Sequence, residues 1–109
     1  MDRVTKKYAE QQMARLAHVL GRPVHYCHQP KGFEPGPDMA PAVEYGTKGA
    51  WVLDSSAASG WLTIYAYSQQ DRGGLRHAIP GDGSHKAQEI WDMCRFAIDV
   101  VGVFTLADA

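Results

Sequence analysis

The sequence predicts an α+β domain in two layers: an N-terminal helix, an antiparallel meander of three to four strands, and a C-terminal helix, in the order α-β-β-β-α. Three observations predict it. Apolar residues recur at helical spacing near each end of the chain. Two-residue alternation fills the middle. The connections between the alternating runs are short, and short connections join antiparallel neighbours, because a parallel pair needs a crossover of a dozen residues or more. The 109 residues suit one domain that buries roughly two thirds of its unfolded surface.

The first helix is expected over Thr5 to Leu20. Val4, Tyr8, Ala9, Met13, Leu16, Ala17 and Leu20 form one apolar stripe, with Glu10, Gln11, Arg15 and His18 mostly off it. Gly21 is placed to cap the helix in the left-handed conformation, and Pro23 follows where the helix must have stopped. VHYCH, Val24 to His28, reads as a short strand. The next stretch, QPKGFEPGPDMAP, holds four of the six prolines and is expected to be an ordered surface loop.

Strand signals follow in VEY, in AWVLDS and in WLTIYAYS. In the last run Leu62 and Ile64 alternate with Trp61, Thr63, Tyr65 and Tyr67, so one face is aliphatic and the other aromatic. Leu75 to Ile79 reads as the optional fourth strand. The closing helix is expected from Ser84 to about Val101. Ala87, Ile90, Trp91, Cys94, Ala97, Ile98 and Val101 form its inner stripe, and Met93, Phe96 and Val100 widen it. Beyond Gly102 the chain stays apolar through Val103, Phe104 and Leu106.

Composition narrows the function classes. Net charge is −1, yet residues 1–22 carry five cations against two acids and the remainder is acidic. Five cations around one helix make a solvated face rather than the broad basic surface that nucleic acid requires, so no nucleic-acid partner is expected. Two cysteines without a CxxC pair leave no disulfide framework. The first residues lack a signal-peptide core, and no apolar run approaches the ~20 residues needed to span a bilayer. A cytoplasmic protein without a membrane partner is the expectation.

The turn PGDGSHK is the nearest approach to a binding motif. Free N–H groups at a helix start attract anions, so Gly81, Gly83, Ser84, His85 and Lys86 are the anion-binding candidates. A phosphate loop of the Walker type needs its lysine before its hydroxyl residue, whereas Ser84 precedes Lys86 here. The simpler reading is a helix start capped by Asp82 or Ser84. His25 and Cys27 point to one side of a strand and His28 to the other, which suits neither a four-ligand metal site nor a Cys–His pair. Cys94 reads as a small core side chain. Ser55, Ser56 and Ser59 lack a nucleophile turn, and Asp54, Asp71, Asp82 and Glu89 show no acid–base pairing. The aromatics Trp51, Trp61, Tyr65 and Tyr67 lack the interleaved cations of a base-stacking platform. No cofactor, metal or enzyme activity is expected.

Two resemblances bear on function. Glu34 to Tyr45 is similar to the stretch leading into the first strand of double-stranded RNA-binding domains, and GDGSHKAQ resembles their entry to the second helix. That implies RNA binding, but the ~35 residues between the two stretches exceed what two short strands need, and only Lys86 stands for the phosphate-gripping lysines. KKYAEQQMARLAHVLGRPV, GAWVLD and the closing short helix resemble small uncharacterised phage and prophage proteins. That likeness implies an accessory factor that binds a host or phage protein. The strongest interaction signal is the wide apolar end of the chain, Met93, Phe96, Val100, Val103, Phe104 and Leu106. It predicts a protein partner or self-association, with a homodimer expected.

Overall fold

A computed structural model describes residues 4–55, 61–67, 75–77 and 85–108. The elements are α1 (Lys6–Val19), β1 (Val24–His25), β2 (Trp51–Ser55), β3 (Leu62–Tyr67), β4 (Leu75–His77) and α2 (Ala87–Asp108). The α+β class is as predicted.

The α1 helix ends as its sequence dictates. Gly21 takes a φ of +72°, which a side chain at that position would resist. The Gly21 N–H then bonds the His18 carbonyl, and the Arg22 N–H bonds that of Ala17. This double closure satisfies carbonyls that the helix leaves free. Ala9, Met13, Leu16 and Ala17 are buried as the stripe requires, and Ala14 joins them. Three expectations fail. Tyr8 and Leu20 are exposed, whereas Glu10 is fully buried. The core lies against one side of a helix too short to hide its apolar ends.

The strands form one mixed sheet in the order β1-β2-β3-β4. The antiparallel expectation holds for β2 with β3 and for β3 with β4. It fails at β1, which runs parallel to β2 and pairs Val24 with Trp51 and His25 with Val52. The missed feature is the crossover. Residues 26–50, expected to hold a loop and a strand, VEY, instead connect β1 to its parallel neighbour without a regular strand of their own. VHYCH is correspondingly cut to two residues. On its other side β1 is lined by the crossover: Val24 donates to the Pro41 carbonyl, and Val43 donates to that of Val24.

The proline-rich stretch is ordered, as expected, but it is more than surface. Met39 and Ala40 are buried. The Ala40 N–H donates to the Ala14 carbonyl of α1 at 3.0 Å, and its own carbonyl accepts the Tyr26 hydroxyl at 2.6 Å. Arg15 grips Asp38 at 3.0 Å. With φ fixed by prolines, the loop loses less entropy on being pinned in this way.

Alternation in β3 is borne out. Leu62 and Ile64 are buried, and Ile64 sits opposite Leu53 of β2. These side chains share one core with Met13 and Leu16 of α1 and with Ile90 and Cys94 of α2. Both helices therefore cover the same sheet face. Val52 and Tyr65, paired across β2 and β3, belong to the opposite face.

The α2 helix starts three residues later than expected and continues well past Gly102. A glycine inside a helix costs only about 1 kcal/mol. At Gly102 the space a side chain would occupy is open.

Candidate functional site

The α2 helix carries two apolar stripes, and the fold uses one of them. Ile90 and Cys94 are fully buried against the core, with Ala87, Ala97 and Ile98 packed beside them. The interface candidates divide. Phe96 is 72% exposed and Val103 65% exposed. Val100 is half-buried between them. Met93 is a correction in part, since it packs on the rim of the core. Phe104 and Leu106 lie on α2, and their side chains fall outside the described residues. A phenylalanine turned outward leaves one of the largest apolar side chains in water, a costly arrangement unless something covers it.

Of the anion-binding candidates, Gly81, Gly83 and Ser84 lie outside the described residues, as does Asp82. His85 and Lys86 are visible and already engaged. The His85 backbone exchanges hydrogen bonds with Leu62 at 2.7 and 2.8 Å, which ties the entry of α2 to the start of β3. The Lys86 N–H donates to the Glu89 carboxylate at 2.9 Å. A carboxylate three residues on thus takes a free N–H at the helix start. The Lys86 ammonium lies 6.0 Å from the Trp61 ring centroid, at the limit of a cation–π contact.

The histidines and Cys27 are drawn into the crossover. His25 Nδ1 donates to the Val43 carbonyl at 3.0 Å, and His28 Nε2 donates to the Leu53 carbonyl at 2.8 Å. A carbonyl has no proton to give, so each bond fixes the tautomer of its ring. Burial, with Glu10 and Asp54 nearby, raises the Cys27 thiol above its usual pKa, the opposite of what activates a nucleophile. Burial pushes the Cys94 thiol up to about 12, in keeping with a core side chain. Among the described residues, no three His, Cys, Asp or Glu side chains gather as metal ligands would.

Sequence reasoning missed the residue that organises this region. Glu10 accepts the Cys27 N–H at 2.8 Å, the His28 N–H at 3.0 Å and the Gln29 amide at 2.8 Å. Gln29 in turn reaches the Lys7 carbonyl and accepts from Gln11. A buried carboxylate is tolerated only when its lone pairs are filled in this way. The available signal was its spacing, since position 10 precedes the buried Met13, Ala14 and Ala17 by three, four and seven residues.

Two further surfaces are shaped. On the sheet face away from the helices, Tyr45 contacts both His25 and Tyr67 edge-on, at 5.4 and 5.3 Å. The Tyr67 hydroxyl is closed off from solvent without a well-formed hydrogen bond. Burial first, then the adjoining Tyr45 phenol, raises its pKa. Trp51 lies instead with the core. The second surface is an open groove of about 820 Å³ between α1 and α2, with Arg15, His18, Asp38, Trp91, Arg95 and Asp99 in its walls. Both arginines there are paired, Arg15 with Asp38 and Arg95 with Asp99.

Comparison with protein-family models, curated proteins and solved structures finds no match. Among the described residues, no helix is long and apolar enough to cross a membrane.

Proposed function

We propose that this is a small non-enzymatic α+β protein that works by binding protein, itself included, through the outer face of α2. The observation that carries the reading is the outward Phe96 and Val103 on a helix whose opposite side already fills the core. Two histidines support it from the other direction. His25 and His28 each spend a ring nitrogen on a backbone carbonyl that holds the crossover in place. The resemblance to phage and prophage accessory proteins fits a role of this kind, with a host or phage protein as the further partner.

Light scattering across a concentration series tests the reading. The weight-average mass is expected to rise toward twice the chain mass by tens of micromolar, a range set by the modest apolar area on offer. Phe96→Lys should hold the protein at the monomer mass with an unchanged circular dichroism spectrum, because the ring makes little of the core. A monomer throughout the series, with wild type and variant alike, overturns self-association.

A further inference from the structure

Sequence spacing puts Trp91 on the inner stripe of α2 with Ile90 and Cys94. Those two are fully buried. Trp91 is only half-buried, and it stands in the wall of the open groove of about 820 Å³ between α1 and α2. Trp91, Arg95 and Ile98 recur at intervals of four and three residues, so they share one face of α2. Gln12, Arg15 and Val19 line the groove from α1. A concave site of about 300–1,000 Å³ with an aromatic wall and a few converging polar groups is the form that small-molecule sites take. The geometry points to a binding site for a small planar carboxylate, its aromatic body against Trp91 and its charge on the Arg95 guanidinium.

Hydrogen-bonding capacity sets the sign of the ligand. The acids in the walls, Asp38 and Asp99, each meet an arginine Nε, at 3.0 Å from Arg15 and 3.4 Å from Arg95. Arg15 Nη1 also donates to Gln12 Oε1 at 2.8 Å. A guanidinium only donates, so this bond fixes the Gln12 oxygen toward Arg15 and leaves the amide NH₂ group for another acceptor. Gln12 is 5% exposed, and its surroundings hold that amide in place. The Arg95 Nη atoms and the Trp91 indole N–H are donors as well. His18, exposed in the groove wall, can donate or accept. The walls thus present N–H donors to an acceptor-rich guest, and a carboxylate matches the planar Nη fork of Arg95.

The pair with Asp99 is no obstacle. It joins two side chains one helical turn apart, 57% and 63% exposed, and such pairs hold weakly in water. A carboxylate ligand that also covers the Trp91 ring gains apolar contact that Asp99 does not make. The groove is open, so binding is modest, with a dissociation constant on the order of 1 mM for a two-ring acid. The site is separate from the outer face of α2, since neither Phe96 nor Val103 lines it. Its failure therefore leaves self-association standing.

Titration of the full chain with 2-naphthoate, followed by proton–nitrogen correlation spectra, tests the site. The Trp91 indole N–H signal, assigned by its loss in Trp91→Phe, and the Gln12 side-chain amide should shift together and saturate. The neutral isostere 2-naphthamide should bind about fivefold more weakly. Arg95→Gln should bring naphthoate down to the affinity of the amide with the melting temperature unchanged, because Arg95 is exposed. Asp99→Asn should raise the naphthoate affinity about twofold by releasing Arg95. Absence of a saturable Trp91 shift up to about 10 mM naphthoate overturns the site, and so do saturable shifts confined to residues outside the groove. Equal binding of the acid and the amide, or an unchanged naphthoate affinity in Arg95→Gln, overturns the carboxylate as its ligand.

Discussion

The Glu10 carboxylate holds the crossover to α1, and its removal has a calculable cost. Glu10 is 0% exposed, and its two oxygens take three donors from residues 27–29, all within 3.0 Å. Hydrogen bonds to a charged acceptor are each worth about 1.5–3 kcal/mol when one partner is deleted. Simple addition would exceed about 5 kcal/mol, but two effects reduce it. Cys27 is exposed, so water can reach part of the vacated site, and deleting the carboxylate also removes its own desolvation cost. Glu10→Ala is accordingly expected to lose about 3 kcal/mol out of the roughly 5–15 kcal/mol that a domain of this size possesses. The melting temperature should fall by on the order of 15 °C. Glu10→Gln keeps the shape and one acceptor oxygen but turns an NH₂ group toward a donor, and should lose about half as much. Equilibrium urea unfolding gives the energies, and amide hydrogen exchange gives the place: protection at the Cys27 and His28 amides should drop before that of β2. A loss under about 1 kcal/mol for Glu10→Ala, with those two amides still protected, would refute the reasoning.

Further predictions concern the phenols and thiols. Tyr26 donates to the Ala40 carbonyl, and burial, with Glu10 nearby, pushes its pKa up to about 12 from the usual 10. The folded state thus holds the phenol proton more tightly than the unfolded chain. The associated stability is fully present below pH 10 and is lost as the pH rises toward 12. Tyr26→Phe should cost about 1 kcal/mol at neutral pH and flatten the decline of stability in that alkaline window; an unchanged alkaline slope in urea titrations run at several pH values would count against it. For the thiols, Ellman's reagent should label Cys27 slowly in the native protein and Cys94 only after unfolding, given one exposed and one buried cysteine, both with raised pKa. Rapid labelling of two thiols under native conditions would contradict the packing of α2.

The elements legible in the sequence share a physical feature: their signal lies within one turn or two residues of itself. Helical spacing of Ala9, Met13, Leu16 and Ala17 states which side of α1 is buried, because the backbone period alone brings them together. Gly21 announces the end of α1 through its own φ. The alternation of Leu62 and Ile64 with Tyr65 and Tyr67 separates the two faces of β3 wherever that strand is placed. The apolar breadth of α2 is legible on the same ground, since helical spacing needs no knowledge of the remaining chain.

What only the tertiary structure decided depends on partners far apart along the chain. Whether β1 runs parallel or antiparallel to β2 is settled by how residues 26–50 return, and loop composition does not encode direction. VEY has strand-forming residues, yet Val43 and Tyr45 serve as partners for His25 instead. Glu10 looks like a solvated charge until the N–H groups of Cys27 and His28 arrive from 17 and 18 residues away. Periodicity by itself determined which surfaces of this protein are apolar. Three-dimensional closure decided which of them the chain covers, because burial is a property of the neighbours a residue acquires and only its polarity is its own.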